Sequence, residues 1–135
     1  MQFANLSNLK IKNLNFIAPF KNLEVLVLSY NQLSSLAELE DLTTVKKLDV
    51  SHNKIASLSG LSSLPLEQLD LSHNALTNHE SLAILELCKG TIKEVNILFN
   101  PLDEERKAIL FLGSRLNNLV WLNHMPRAKF IQFQT

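Results

Sequence analysis

Two short segments of the chain carry the side chains of a hydrolase triad. The two sets are Asp49, Ser51 and His52 and, 21 residues later, Asp70, Ser72 and His73. An aspartate, a histidine and a serine can together activate a hydroxyl group for nucleophilic attack. However, both segments spell L-D-x-S-H-N, and adjacent serine and histidine side chains point in different directions where a strand gives way to a turn. Repetition therefore explains both sets, and we expect no enzymatic activity.

The same segments also contain two aspartates and two histidines, which are side chains that can ligate a metal. Exposed polar residues of a repeated segment are the simpler interpretation, so we expect no metal and no cofactor. The sequence has no HExxH, CxxC, GxGxxG, P-loop or GxSxG arrangement that would point to another catalytic chemistry.

A phrase of eleven residues, LxxLxLxxNxL, explains why these segments recur. It occurs three times between Leu23 and Leu76, and its asparagines are 22 and then 21 residues apart. The fourth copy arrives 26 residues after the third. The asparagines of the four copies are Asn31, Asn53, Asn74 and Asn100. Five positions kept at fixed spacing indicate a repeat architecture.

The phrase has a physical interpretation. Its LxL step predicts a very short strand whose leucines point inward and whose intervening residues point outward. One copy cannot bury its apolar side alone, so stacked copies are expected to form a parallel sheet over a continuous core. The turn after each strand leaves backbone groups without strand partners. A carboxamide both donates and accepts, so we predict a structural ladder of the four asparagines.

This signature is that of leucine-rich repeat proteins. Repeats of about 22 residues with short convex segments resemble the intracellular subclass typified by the phosphatase-1 regulatory repeat protein. The resemblance implies an α/β right-handed solenoid, with short parallel strands on the concave face and short helical or 3₁₀ segments on the convex face. We expect convex helical turns in Ser34 to Leu42 and Ala56 to Leu64, and a convex helix of about three turns between Asn78 and Gly90.

The two ends of the array depart from the phrase. We assign residues 1–124 to the repeat domain, with an irregular first repeat at 1–22, regular repeats at 23–102, and a cap helix and last strand at 103–124. In the first repeat Leu14 is assigned to the asparagine position, which places Leu9 on the inward rung. A helix from Glu104 to Leu112, stopped at Gly113, resembles the carboxy-terminal cap of the same subclass. The tail, 125–135, is apolar enough to lie on the body or on a partner.

Composition and charge narrow the setting. The chain has 13 basic and 13 acidic residues in 135, so it has no bulk attraction to nucleic acid or to an anionic membrane. It has no apolar run of transmembrane length and no opening typical of a secretion signal. Cys88 is the only cysteine, and the cysteine-rich end caps of extracellular leucine-rich repeat proteins are absent. We expect an intracellular location, cytoplasmic or nuclear. Cys88 is expected to pack in the core.

The outward residues of successive strands predict a partner-binding face, with Asn8 and Lys10 of the first repeat at its head. Asp49, Asp70 and Glu94 are expected at its centre, and Leu98, Phe99 and Trp121 at an apolar corner. The predicted binding residues are Val25, Val27, Tyr30, Lys47, Asp49, His52, Gln68, Asp70, His73, Glu94, Asn96, Leu98, Phe99 and Trp121.

Two functions are consistent with this face. The first is a non-enzymatic protein-protein interaction module or adaptor, which binds a basic and apolar segment of a partner protein through the concave face. The second is a subunit of an RNA-processing or export particle that resembles the spliceosomal A-prime protein and acts through a protein partner. Direct nucleic-acid binding is not expected, because the charge is neutral and the centre of the face is acidic.

Overall fold

The computed structural model describes residues 2–88 and 90–134, and for residues 133 and 134 it describes the backbone alone. Seven short strands form one sheet in chain order. The first six are parallel, and the last two pair in antiparallel fashion. The strands are β1 (Phe3–Asn5), β2 (Val25–Val27), β3 (Lys47–Asp49), β4 (Gln68–Asp70), β5 (Glu94–Asn96), β6 (Trp121–Leu122) and β7 (Met125–Pro126).

The middle residue of each three-residue strand points into the core. Leu26, Leu48 and Leu69 are paired rung to rung and are buried, and the residues on either side of them face outward. This is the alternation that the LxL step predicts. The buried leucines and valines of successive repeats join into one continuous apolar core. The predicted leucine-rich repeat fold is confirmed.

The predicted register of the first repeat is wrong by five residues. β1 pairs Phe3 with Val25 and Ala4 with Leu26, so Ala4, and not Leu9, occupies the inward rung. Leu9 lies at the asparagine position, where its backbone N–H donates to Oδ1 of Asn31. The motif was obscured because alanine replaces leucine on the rung and leucine replaces asparagine at the turn.

The convex side holds two 3₁₀ helices, Ala37–Asp41 and His79–Cys88. Both match predicted helical segments. In Ala56 to Leu64 the structure has two separate turns, in which the N–H of Leu61 donates to the Leu58 carbonyl and the N–H of Leu64 donates to the Leu61 carbonyl, and no continuous helix. Gly60 interrupts the segment with a φ of +105°, and a Cβ there would collide with the carbonyl oxygen of Leu36. The glycine thus allows this loop to approach the preceding repeat more closely than a residue with a Cβ could.

The four asparagines form a continuous set of bridges between repeats. In Asn74, Nδ2 donates to the carbonyl oxygens of Val50 and Leu71 at 3.0 Å each, and Oδ1 accepts from the Ile55 N–H at 3.0 Å. Asn31, Asn53 and Asn100 make the equivalent hydrogen bonds. Each carboxamide therefore satisfies turn backbone both in its own repeat and in the repeat before it.

The carboxy-terminal end is closed by α1 (Glu105–Arg115) and α2 (Arg127–Phe130). The predicted end of the first helix at Gly113 is wrong, since α1 continues through this residue. Gly113 is buried because the ring of Phe130 packs over it, 3.4 Å from the point where a Cβ would lie. β7 and α2 thus belong to the body, and the tail predicted for 125–135 is folded against it as far as the structure describes it.

Cys88 is buried, and its Sγ lies 3.3 Å from the carbonyl oxygen of Leu64. This agrees with the core position predicted for it. Burial raises the pKa of the thiol, against a smaller lowering by the backbone N–H of Leu66. Within residues 2–88 and 90–134, no helix has the length and apolar character needed to cross a membrane.

Candidate partner-binding surface

The outward residues of β2 to β5 line a shallow groove of about 260 Å³ along the concave face. The strand register places Val25, Lys47, Gln68 and Glu94 in one column and Val27, Asp49, Asp70 and Asn96 in a second. Adjacent members of a column belong to neighbouring parallel strands, so their side chains project from the same face about 5 Å apart. The groove therefore presents two ordered rows of side chains, which are apolar at β2 and include one acidic residue on each of β3, β4 and β5, with Lys47 beside Asp49 on β3.

The corrected register changes the head of both columns. Phe3 stands beside Val25, and Asn5 stands beside Val27, in the places predicted for Asn8 and Lys10. Asn8 instead lies in the turn, with a φ of +57°. The first repeat therefore adds an exposed aromatic ring and an amide to the columns, and it adds no lysine.

The triad-like residues make a turn, and their geometry differs from that of a hydrolase. Oδ1 of Asp49 accepts from both the N–H and the Oγ–H of Ser51, at 2.9 and 2.6 Å. Asp70 holds Ser72 in the same way, at 2.9 and 2.7 Å. Both serines are buried, and each hydroxyl donates to an aspartate, whereas a nucleophilic serine donates to a histidine.

Other residues of the second column form the same hydrogen bond across the turn. Asn5 accepts from the N–H and the hydroxyl of Ser7, and Asn96 accepts from the Leu98 N–H at 3.0 Å. An aspartate or asparagine thus closes the turn in four of the first five repeats, and Val27 is the exception. Where the bond is made, an amide oxygen serves as well as a carboxylate, so the turn does not require a negative charge.

Four rings form a stack beside this groove. The centroids of Tyr30 and His52 are 4.0 Å apart, those of His52 and His73 are 4.0 Å apart, and those of His73 and Phe99 are 4.4 Å apart, with the ring planes within 18° of parallel. All four residues have a φ between 56° and 60°. The shared left-handed turn directs every ring to the same side, which produces the aromatic stack.

The stack and the acidic column face one depression of about 410 Å³. It brings together the predicted residues Tyr30, Asp49, His52, Asp70, His73, Asn96, Leu98 and Phe99. His124 was not among the residues predicted from the sequence. It lines both the groove and this depression, and its Nε2 is 3.3 Å from Nδ2 of Asn96. The structure places it in the turn between β6 and β7, with a φ of +65°.

Trp121 is separate from that set. It pairs with Glu94 on one side and with Pro126 on the other, and it lines neither depression. Its ring is exposed at the carboxy-terminal end of the first column. The apolar corner predicted for Leu98, Phe99 and Trp121 is therefore divided between the turn side of the sheet and its end. Among the described residues, no three acidic, histidine or cysteine side chains are arranged to hold a metal ion.

Comparison with protein-family models gives two adjoining matches. Residues 21–63 match the model described as leucine-rich repeats in two copies, and residues 65–87 match the model of a single leucine-rich repeat. The chain is a leucine-rich repeat protein. The matched ranges contain three of the four regular repeats read from the sequence, and no curated protein matches significantly over the chain.

Solved structures with the same fold include a chain of the Drosophila melanogaster SNF/U2A′ complex. It has a TM-score of 0.83 and 23% identity, over 98% of this leucine-rich repeat protein and 79% of the other chain. Internalin C2 of Listeria monocytogenes has a TM-score of 0.77 and 23% identity over 90% of this chain. A second internalin from that organism, inlF, has a TM-score of 0.78 and 24% identity over 91% of this chain. This chain spans 50% and 34% of the two internalins.

Proposed function

We propose that this leucine-rich repeat protein is a non-enzymatic binding module, which holds a helix or an extended segment of a partner protein along its concave face. The observation that carries the proposal is the ordered groove itself. Its two columns expose side chains of defined chemistry at the spacing of neighbouring strands, which suits a linear segment of another chain. The neutral net charge supports contact with a protein over direct contact with nucleic acid.

The chemistry of the groove favours a partner segment with both basic and apolar side chains. Val25 and Val27 are half-buried neighbours on β2, and they provide an apolar floor at one end. Asp49, Asp70 and Glu94 follow on the next three strands, so basic groups of the partner would lie opposite them. Exposed aromatic side chains such as Trp121 are the usual anchors of such interfaces.

The structure provides a substitution that separates charge from folding. Asparagine occurs naturally at the position of Asp49 and Asp70 in the first and fifth repeats, where Asn5 and Asn96 make the same turn bond. The double variant Asp49→Asn/Asp70→Asn therefore keeps the acceptor of the turn and removes two charges. We expect it to bind the partner at least about tenfold more weakly, or about 1.4 kcal/mol, with an unchanged midpoint of unfolding.

The partner for this measurement is obtained by affinity purification from the native cell, followed by identification of the proteins that co-elute. Trp121→Ala tests the exposed ring at the carboxy-terminal end of the first column in the same assay, and a weakening of about tenfold is expected. Glu80→Gln is the matched control, because Glu80 is an exposed carboxylate on the convex 3₁₀ helix. Equal capture by the wild type and by all three variants would reject the concave face as the binding surface.

A second candidate is a subunit of an RNA-processing or export particle, as in proteins resembling the spliceosomal A-prime protein. The similarity of fold to a chain of the SNF/U2A′ complex over 98% of this chain favours it as the next hypothesis. In this case too the contact would be with a protein. Binding of RNA by the isolated chain, with a steep dependence on salt, would contradict a purely protein-mediated role.

The proposed setting is the cytoplasm or the nucleus. A buried free thiol at Cys88, with a pKa raised by burial, suits a reducing compartment because it takes no part in a disulfide. Localisation of the tagged full chain by microscopy tests this part of the proposal.

A further inference from the structure

The amino-terminal end of the array exposes apolar side chains at positions that the next repeat buries. Leu9 stands at the position of Asn31 and is 58% exposed, against 8% for Asn31. Phe20 stands at the position of Leu42 and is 50% exposed, whereas Leu42 is fully buried. The described part of the chain therefore leaves both side chains largely open to solvent at this end. Phe3, on the strand itself, is also exposed.

The backbone at this end is arranged to accept another strand. In the second repeat the residues that bond toward the preceding strand are Val25, whose N–H donates to the Gln2 carbonyl, and Val27, whose carbonyl accepts from the Leu6 N–H. Their counterparts in β1 are Phe3 and Asn5. The N–H and C=O groups of these two residues therefore face the outer edge of the sheet. Such an edge is a template for strand addition.

The charge at this end is of one sign. Residues 1–23 contain Lys10, Lys12 and Lys21 and no acidic residue, although the whole chain is neutral. All three lysines are exposed. A second copy of the chain docked end to end would bring the same three positive charges to the contact, which disfavours it. A segment with acidic side chains would be attracted.

We infer that the outer edge of β1 and the adjoining side chains form a second binding surface, which takes a strand-forming segment of a partner protein with alternating apolar and acidic residues. The apolar residues would cover Phe3, Leu9 and Phe20, and the acidic residues would meet the lysines. This surface differs from the concave groove in place and has the opposite charge preference, so it stands apart from the function proposed above.

The test uses the full chain labelled with ¹⁵N and two synthetic peptides of about ten residues, long enough to form one strand. In the first peptide glutamate alternates with valine, and in the second lysine replaces every glutamate. We expect the acidic peptide to bind with a Kd below about 1 mM and to shift the amide resonances of Phe3 and Asn5 most. The lysine peptide should produce no saturable shifts.

Substitutions in the first repeat identify the side chains that contact the acidic peptide. The triple variant Lys10→Glu/Lys12→Glu/Lys21→Glu should weaken binding of the acidic peptide at least about tenfold, and Leu9→Ser/Phe20→Ser should weaken it by a similar factor. The matched control is Lys54→Glu/Lys93→Glu/Lys129→Glu, which reverses three exposed lysines elsewhere and should leave the Kd unchanged. Amide spectra of each variant without peptide establish that the fold is retained.

Several results would overturn the inference. They are the absence of saturable binding of the acidic peptide, equal binding of the lysine peptide, and shifts centred on the groove residues Asp49 and Asp70. A dimer detected by sedimentation that is lost in Leu9→Ser/Phe20→Ser would assign this end to a second copy of the chain instead.

Discussion

Oδ1 of Asn123 accepts the backbone N–H of Ile97 at 2.8 Å. In the three preceding repeats the equivalent N–H groups, those of Leu28, Val50 and Leu71, donate to a backbone carbonyl of the next strand. The asparagine side chain therefore takes the place of a carbonyl oxygen where the parallel ladder ends. An aspartate would supply the same acceptor.

Replacing Asn123 by alanine should therefore destabilise the fold. The buried N–H of Ile97 would lose its acceptor, at a cost of about 1–3 kcal/mol. Urea denaturation followed by circular dichroism measures the change. Asn117→Ala, at an exposed position nearby, is the control and should leave the midpoint unchanged. Equal stability of the two variants would mean that the Ile97 N–H finds another partner.

Phe130 should contribute as much to stability as a residue within a repeat. Its ring is fully buried against Gly113, although it lies beyond the last strand that the repeat phrase predicts. We expect Phe130→Ala to lower the free energy of unfolding by about 3–5 kcal/mol. Ile131→Ala, at the next and exposed position, should cost much less. Similar small losses for both would show that α2 is dispensable to the body.

The three glycines should respond differently to substitution by alanine. Gly60→Ala combines a φ of +105° with a collision against the Leu36 carbonyl, and we expect a loss of about 2 kcal/mol or more. Gly113→Ala places a Cβ at ordinary contact distance from Phe130 inside a helix, so a gain of about 0.5–1 kcal/mol is expected. Gly90→Ala meets nothing within 4 Å and serves as the control. Thermal unfolding of the three variants, compared with wild type, tests the order.

The Cys88 thiol should be protected in the native state. Burial raises its pKa above the ordinary 9.0, so the native protein favours the neutral thiol. This contribution to stability is fully present below pH 9.0 and is lost as the pH rises through the higher native pKa. A disulfide exchange reagent at about pH 8 should react only as the chain unfolds. Rapid stoichiometric labelling of the folded protein would contradict this.

The regular repeats were predictable because five positions recur at fixed offsets. The offsets gave the rungs of Leu26, Leu48 and Leu69, the two columns of outward residues from β2 onward, and the positions of the asparagines. Each of these follows from the side-chain alternation of a strand and from the stacking of equal units.

The first repeat was misassigned because leucines at Leu6 and Leu9 offered a second, false register. Counting back 22 residues from Leu26 gives Ala4, which is the rung that the structure shows. The period was therefore a better guide than residue type, since end repeats of an array often depart from the shared phrase.

The position before each asparagine predicts the four residues of the aromatic stack as one row. Tyr30, His52, His73 and Phe99 all occupy it, one in each regular repeat. The sequence pattern did not predict the left-handed backbone at these residues, which turns the rings face to face. By contrast, the packing of Phe130 on Gly113 has no periodic signal, because it depends on where α2 meets α1.

The most direct test of the proposed binding face is the Kd of the co-purified partner, measured by calorimetry for the wild type and for Asp49→Asn/Asp70→Asn. The turn bonds survive in this variant, so any change reports on the lost charges. We predict a Kd at least about tenfold higher for the variant, with Glu80→Gln indistinguishable from wild type. The same Kd for all three proteins would contradict recognition through the acidic column of the concave face.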